Sequence, residues 1–267
     1  MPTLSQTEIS SLQDFLTQAD LGQESDSTAV WFRGAGNAEY TLSPSLHRHR
    51  SIIDTTSLFF FEKKLITRFK ERSVPYLTHR LDDPWELLFL MQHHGMPTRL
   101  LDWTENPMIA LFFALSSAKM NASGSYDNDA AVWILSPSKW NQAVFKHNSY
   151  QGGAMSPSED MVKSYQPGST PDYINENPVA ILGIHNSPRI VAQRGSFCLF
   201  GKSLDPMESI YTNGSFEQGT LSKLVIPRNK IGEMLSKLVW MGVTDSVIYP
   251  DLEGLAKETK RLFGFSV

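Results

Sequence analysis

The stretch WELLFLMQHHGMPTRLLDWTENPMIALFFA, Trp85 to Ala114, sets two apolar segments on either side of a polar middle. Leu81-Asp82-Asp83-Pro84 is a helix start signal, and apolar residues nearly all round from Trp85 to Met91 mark a buried helix reaching about His94. Gly95 stops it, and Pro97 keeps it from resuming. Thr104 or Asn106, followed by Pro107, opens a second helix whose buried side is Ile109, Ala110, Leu111, Phe113 and Ala114. Between the two, Gln92, His93, His94, Thr98, Arg99, Asp102, Trp103 and Thr104 crowd a short turn. Polar groups there must be satisfied by one another or by a ligand, since each left buried and unpaired costs about 1–3 kcal/mol. The helix N-terminus beside them is a seat for an anion.

The two histidines do not make a metal site on their own. Neighbours on a helix point about 100° apart, and no His-x-x-x-His or cysteine partner stands at ligand spacing. A metal-dependent nuclease using Asp82, Asp83 and Asp102 lacks ligand spacing for the same reason. Architecture explains part of the cluster equally well: Arg99 and Asp102 can clamp the turn, Trp103 can anchor the core, and Gln92 can cap its helix.

Toward the N-terminus, Thr28-Ala-Val-Trp-Phe-Arg-Gly34 reads as a strand ending in Arg33-Gly34. A guanidinium fork there can be aimed at an anion while the glycine keeps backbone out of the way, or it can pair with a core carboxylate. Tyr40 to Arg50 follows as a polar loop carrying Ser43, Ser45, His47, Arg48, His49 and Arg50, either an anion-friendly loop or a solvated basic face. Ser57 to Ser73 is a helix with Glu62, Lys63, Lys64 and Lys70 facing out, ended by Pro75. Ser5 followed by Glu8 resembles a capping box, so residues 1–24 are expected to form an N-terminal helix over Ser5 to Leu16, with Ile9, Leu12, Phe15 and Leu16 on one face.

Toward the C-terminus, Ala130–Leu135 and Pro178–Leu182 read as strands. The Asn-, Ser-, Gly- and Pro-rich residues 140–176 read as a loop-rich insertion, a mobile cover over a site. Pro188 to Phe200 divides into two strand-like runs around a turn at Gln193-Arg194-Gly195. Lys223–Ile226 is a strand, Asn229–Trp240 a helix, Ser246–Tyr249 a last strand and Leu252–Phe263 a closing helix. Strands and helices interleave without regular alternation or repeat, which predicts a single α+β domain of short, mostly antiparallel strands.

Composition bounds the function. With 267 residues, 41% hydrophobic, the chain can bury a sizeable core. The net charge of -4 supplies no global basic field, so contact with nucleic acid would need a local patch. A single cysteine, Cys198, excludes an internal disulfide. The N-terminus lacks a signal-peptide pattern and no apolar run is long enough to span a bilayer, so a soluble cytoplasmic protein is expected.

Trp31-Phe32-Arg33-Gly34, Leu42-Ser43-Pro44-Ser45-Leu46 with Arg48, the run Gln92 to Thr104, and Arg189-Ile190 with Gln193-Arg194-Gly195 together resemble the FRG domain family, in order, over about residues 25–255. On that resemblance, residues 25–267 form the FRG domain. A second resemblance is to arginine-type ADP-ribosyltransferases. These carry a strand ending in Arg-Gly, a polar strand followed by an Ala-x-x-Phe-Ala helix, and a late loop with a catalytic Glu. Here Phe32-Arg33-Gly34, Thr98–Thr104 with Ala110–Ala114, and Gln193-Arg194-Gly195 fall in the same order, with Gln193 where the Glu is expected.

That resemblance implies an ADP-ribosyltransferase-like split sheet surrounded by helices, and NAD as a substrate, with no metal. It implies a transferase or NAD glycohydrolase passing ADP-ribose to protein, nucleic acid or water, in the role of an intracellular toxin or antiviral effector. Asp102, Gln193 and His94 are then the catalytic candidates, with Glu105 and Glu176 as alternative carboxylates. Arg33, Gly34, Gln92, Thr98, Arg99, Trp103, Thr104 and Arg194 are the ligand-binding ones. The alternative is a non-catalytic module that binds a nucleotide or nucleic-acid end through Arg33, Arg48, Arg50 and Arg99, with Trp31, Trp103 and Tyr40 available for stacking. Either reading requires Arg33, Gln92, Arg99, Asp102 and Gln193 to meet.

Overall fold

The computed structural model describes residues 1–24, 29–77, 81–146, 150, 152–169, 173–184 and 187–265; the predicted strand start at Thr28 and parts of the 140–176 segment lie outside them. Seven strands form one open sheet: β1 (Ser5–Glu8), β2 (Trp31–Ala35), β3 (Leu100–Thr104), β4 (Ala130–Leu135), β5 (Val179–Leu182), β6 (Gly195–Leu199) and β7 (Leu221–Ile226). Their order is β1-β7-β4-β2-β3-β6-β5. Only β1 with β7 is parallel; every other pairing is antiparallel. The helices are α1 (Leu12–Glu24), α2 (Thr55–Ser73), α3 (Pro84–His93), α4 (Pro107–Ser116), α5 (Pro137–Phe145), α6 (Asp160–Lys163), α7 (Pro188–Gln193), α8 (Met207–Asn213), α9 (Arg228–Trp240), α10 (Asp245–Ile248) and α11 (Leu252–Leu262).

The α+β class and the mostly antiparallel sheet are as expected, and the sheet parts in the middle. β2 and β4 pair over five residues and β3 and β6 over five, whereas β2 and β3 share a single pair, Phe32 with Thr104. On the front face each half has its own core. Phe32, Val132, Ile134 and Leu224 pack under α1, α4 and α9. Leu100, Phe197, Leu199 and Ile181 pack under α2 and α3. On the back a single cluster, with Trp31, Trp133, Trp103 and Cys198, runs across both halves. The molecule is therefore hinged at its front and continuous behind.

Several local expectations are overturned. Ser5–Glu8 is not the first turn of a helix but an edge strand along β7; the helix begins after Ser11, whose hydroxyl accepts the Asp14 N–H while the Asp14 carboxylate accepts the Ser10 N–H. The Thr98–Thr104 turn is strand β3. Pro188–Gln193 is a helix capped by Ser187, and Ser246–Tyr249 falls on α10 rather than a strand. Glu62 does not face out: it is buried against Arg99. The 140–176 segment is packed in part into the core, and none of its described residues lines the cleft described below. Trp140, Met155, Val162 and Tyr165 are buried, and the Asn141 side chain bonds both the N–H and the carbonyl of Ala180, closing off the edge strand β5.

Candidate functional site

A cleft of about 790 Å³ opens where the two front cores part, within the range of small-molecule sites. It is built from the seam outward. Gly34 on β2 lets α4 cross closely: a Cβ there would lie 2.0 Å from the Ala110 carbonyl oxygen. Its neighbour Arg33 then occupies the gap left by the ladder. The guanidinium donates to the Asp102 carbonyl at 2.5 Å and lies 3.9 Å from the Asp102 carboxylate, with a quarter of its side chain exposed. Burial holds the Arg33 pKa below its ordinary value, and nearby Arg48 adds to that.

Asp102 stands on the cleft floor, its side chain 58% exposed. The Gln92 amide, at the end of α3, donates to its Oδ2 at 2.8 Å. Behind Gln92, the Thr98 hydroxyl donates to the amide oxygen at 2.5 Å and accepts the Leu100 N–H at 3.0 Å. Thr104 donates its hydroxyl to the Gln193 carbonyl at 2.6 Å, which fastens the end of α7 to β3. The Gln193 amide donates to the Ile248 carbonyl at 3.2 Å.

The histidines divide between partnered and free. His94 is the exposed C-cap of α3, its ring edge-on to His93. His93 reaches across to α7, with Nδ1 3.4 Å from the Ser187 hydroxyl. Burial, then His94 and Arg189, hold the His93 pKa below its usual value. Arg189 lies over the Tyr249 ring at 4.6 Å. Arg33, Arg48 and Arg189 thus face a cleft whose carboxylates are Asp102, Asp251 and Glu253. Among the described residues no three His, Cys, Asp or Glu side chains group to hold a metal ion, and no helix is long and apolar enough to cross a membrane.

Arg33, Gly34, Gln92, His94, Asp102, Thr104 and Gln193 therefore line one cleft, as expected. Arg99 does not. It is fully buried, its Nε 2.6 Å from Glu62 and its remaining nitrogens on the Phe200 and Tyr165 carbonyls. Arg99 precedes β3 and turns to Glu62 on α2 and to the two carbonyls instead of the cleft, so it serves as a structural clamp. Thr98 is buried behind Gln92 and reaches the cleft only through it. Trp103 also lines the cleft, but its ring, like that of Trp31, is buried in the back core, so neither is available to stack on a base. Arg194 is the exposed left-handed cap of α7 and is not among the lining residues; neither are Glu105 and Glu176. Sequence reasoning missed the lip formed by Asp251 and Glu253, whose only signal is an Asp capping a short helix.

The fold and cleft define an α+β protein with one open, mostly antiparallel sheet and a polar cleft beside the β2–β3 pairing. The model of the FRG domain family matches residues 28–123, and over that span the chain is similar to the family. The matched span holds β2, α3, β3 and α4, both sides of the seam; it ends before α7 and β6, well short of the expected residue 255. No curated protein and no solved structure matches the chain.

Proposed function

We propose that the cleft binds a pyrophosphate-bearing nucleotide of the NAD class and cleaves its nicotinamide–ribose bond, ADP-ribose passing to water or to a protein or nucleic-acid acceptor. The observation that carries this reading is the exposed Asp102 carboxylate, held on the floor by Gln92 and flanked by guanidiniums. Support also comes from the order of Arg33-Gly34 ending β2, β3 followed by the Ala110–Ala114 helix, and Gln193 before β6, the ADP-ribosyltransferase-like arrangement.

Arg33 and Arg48 repel one another and are offset by one carboxylate on the floor; a pyrophosphate relieves that repulsion through charge-assisted hydrogen bonds. The C1′–N bond breaks with its electron pair going to the nicotinamide ring, which leaves neutral. The positive charge left on the ribosyl carbon faces Asp102, which stabilises it electrostatically. Water or an acceptor attacks C1′ and releases its proton to solvent. Gln193, its amide hydrogens turned to Ile248, offers its Oε1 to a ribose hydroxyl. The proposed setting is the cytoplasm, in a toxin or antiviral role by analogy with the transferases.

Incubation with NAD, alone and with nucleic acid or lysate, tests this by nicotinamide release. Asp102→Asn is expected to lower turnover on the order of a hundredfold while leaving nucleotide binding in place. No release from the wild type under any condition sinks the reading.

A second reading, binding without turnover, is favoured by one observation: Gln193 brings no charge to the place where a second acid is expected, and its amide is committed to Ile248. It predicts thermal stabilisation by nucleotides or oligonucleotides with no product formed.

A further inference from the structure

The orientation of the Gln92 amide follows from its two neighbours. The Leu100 N–H can only donate, so the Thr98 oxygen accepts there and has its own proton left to give. Gln92 Oε1 receives it at 2.5 Å, which turns Nε2 toward Asp102, 2.8 Å from Oδ2. The other end demands the same, because a carboxylate is an acceptor and faces a donor. A flipped amide would set two acceptors against each other at Asp102.

The relay is rooted in rigid structure. Thr98 is buried; its N–H donates to the Ser45 hydroxyl and its carbonyl accepts the Leu46 N–H. The next residue, Arg99, is pinned by Glu62 and two carbonyls. Asp102 itself is more than half exposed, and an exposed aspartate is free to rotate. With Oδ2 committed to Gln92 and near Arg33, Oδ1 is the oxygen without a partner among the described residues.

We propose that Thr98 and Gln92 are positioning residues that fix the Asp102 carboxylate and present its Oδ1 to the cleft, a role that rests on the proposed glycosidic cleavage for its purpose but not for its geometry. Gln92, expected from sequence to bind ligand, acts instead through Asp102.

The test reads the Gln92 side-chain amide by nitrogen-15 NMR in the unliganded protein, and NAD turnover in parallel. Thr98→Val and Asp102→Asn are each expected to shift the Gln92 amide protons toward values of a free amide, and Thr98→Ser to keep them at the wild-type position. Thr98→Val is expected to lower kcat about tenfold, the scale of one lost hydrogen bond between neutral groups, with KM within about twofold and Thr98→Ser restoring the rate. Gln92 amide resonances unmoved by Asp102→Asn overturn the relay, whether or not NAD is consumed and even if Thr98→Val fails to fold. Resonances that move as expected in a wild-type background that releases no nicotinamide uphold the relay and remove the glycosidic reading instead.

Discussion

His47 shows how one buried side chain ties stability to pH. Both ring nitrogens are buried without a hydrogen-bond partner among the described residues, and the ring sits edge-on to Phe200 at 5.1 Å. Burial, with nearby Arg99, pushes its pKa down from 6.5 to about 4. The unfolded chain therefore binds more protons than the folded one between about pH 6.5 and pH 4, so stability rises with pH across that window. The contribution is fully present above pH 6.5 and lost as pH falls toward 4, approaching about 3 kcal/mol. Urea melts of the wild type and His47→Leu at several pH values check this. The variant's stability relative to wild type is expected to grow as pH drops, and a constant difference rules the account out.

The same scale shows why the site was only partly legible. Gln92 and Asp102 are legible as neighbours because a polar cluster between two apolar helices has to be satisfied somewhere, and Arg33 because it ends a strand against a glycine. Arg99 sat in the same cluster and was misread, because sequence does not tell the two sides of a strand apart when both are polar. Its partner Glu62 looked like one more charged residue on a helix surface, and nothing local marks it as the buried one.

Among elements, the contact of α4 with β2 is the tightest constraint on the seam. Gly34→Ala would place a Cβ 2.0 Å from the Ala110 oxygen and 2.5 Å from the Ala114 nitrogen, both backbone atoms. α4 would have to lift, at a cost of about 3 kcal/mol or more. Gly195→Ala, also in the cleft, meets only Ile190 at 3.4 Å and is expected to cost under about 1 kcal/mol. Chemical denaturation of the two variants should separate them clearly, and equal losses would mean that α4 is not held by that approach. Long apolar helices such as α3 and α4 were legible because pattern and caps agreed. Short runs were not: Pro188–Gln193 and Ser246–Ile248 look equally well like strand or helix until Ser187 is recognised as a cap. Ser5 mimicked a cap, but pairing with β7, more than 200 residues on, decided that segment.

At the scale of the whole molecule, the α+β class and the mostly antiparallel pairing are legible in the sequence, but the strand order is not, since every pairing except β5 with β6 skips a strand or joins distant segments. What the order creates is a front seam closed by one residue pair and one arginine, over a back core shared by both halves. Such a seam is expected to open locally at lower free energy than the β4–β7 pairing, because few backbone bonds and no continuous front core hold it. Amides of β2 that face β3 should then exchange with solvent faster than those of β4 and β7. On the proposed reading, a pyrophosphate-bearing dinucleotide spanning Arg33, Arg48 and Arg189 would bridge both sides of the opening, and at about a hundred times its Kd it would add about 2.7 kcal/mol to stability. Hydrogen exchange with and without that ligand should show protection concentrated at the seam, and Arg48→Ala should weaken binding about tenfold while leaving unliganded exchange unchanged, since Arg48 is an exposed residue whose guanidinium, among the described residues, hydrogen-bonds the Ser43 carbonyl alone. Protection spread evenly over the sheet, or confined to the back core, would place the ligand elsewhere and leave the seam as architecture alone.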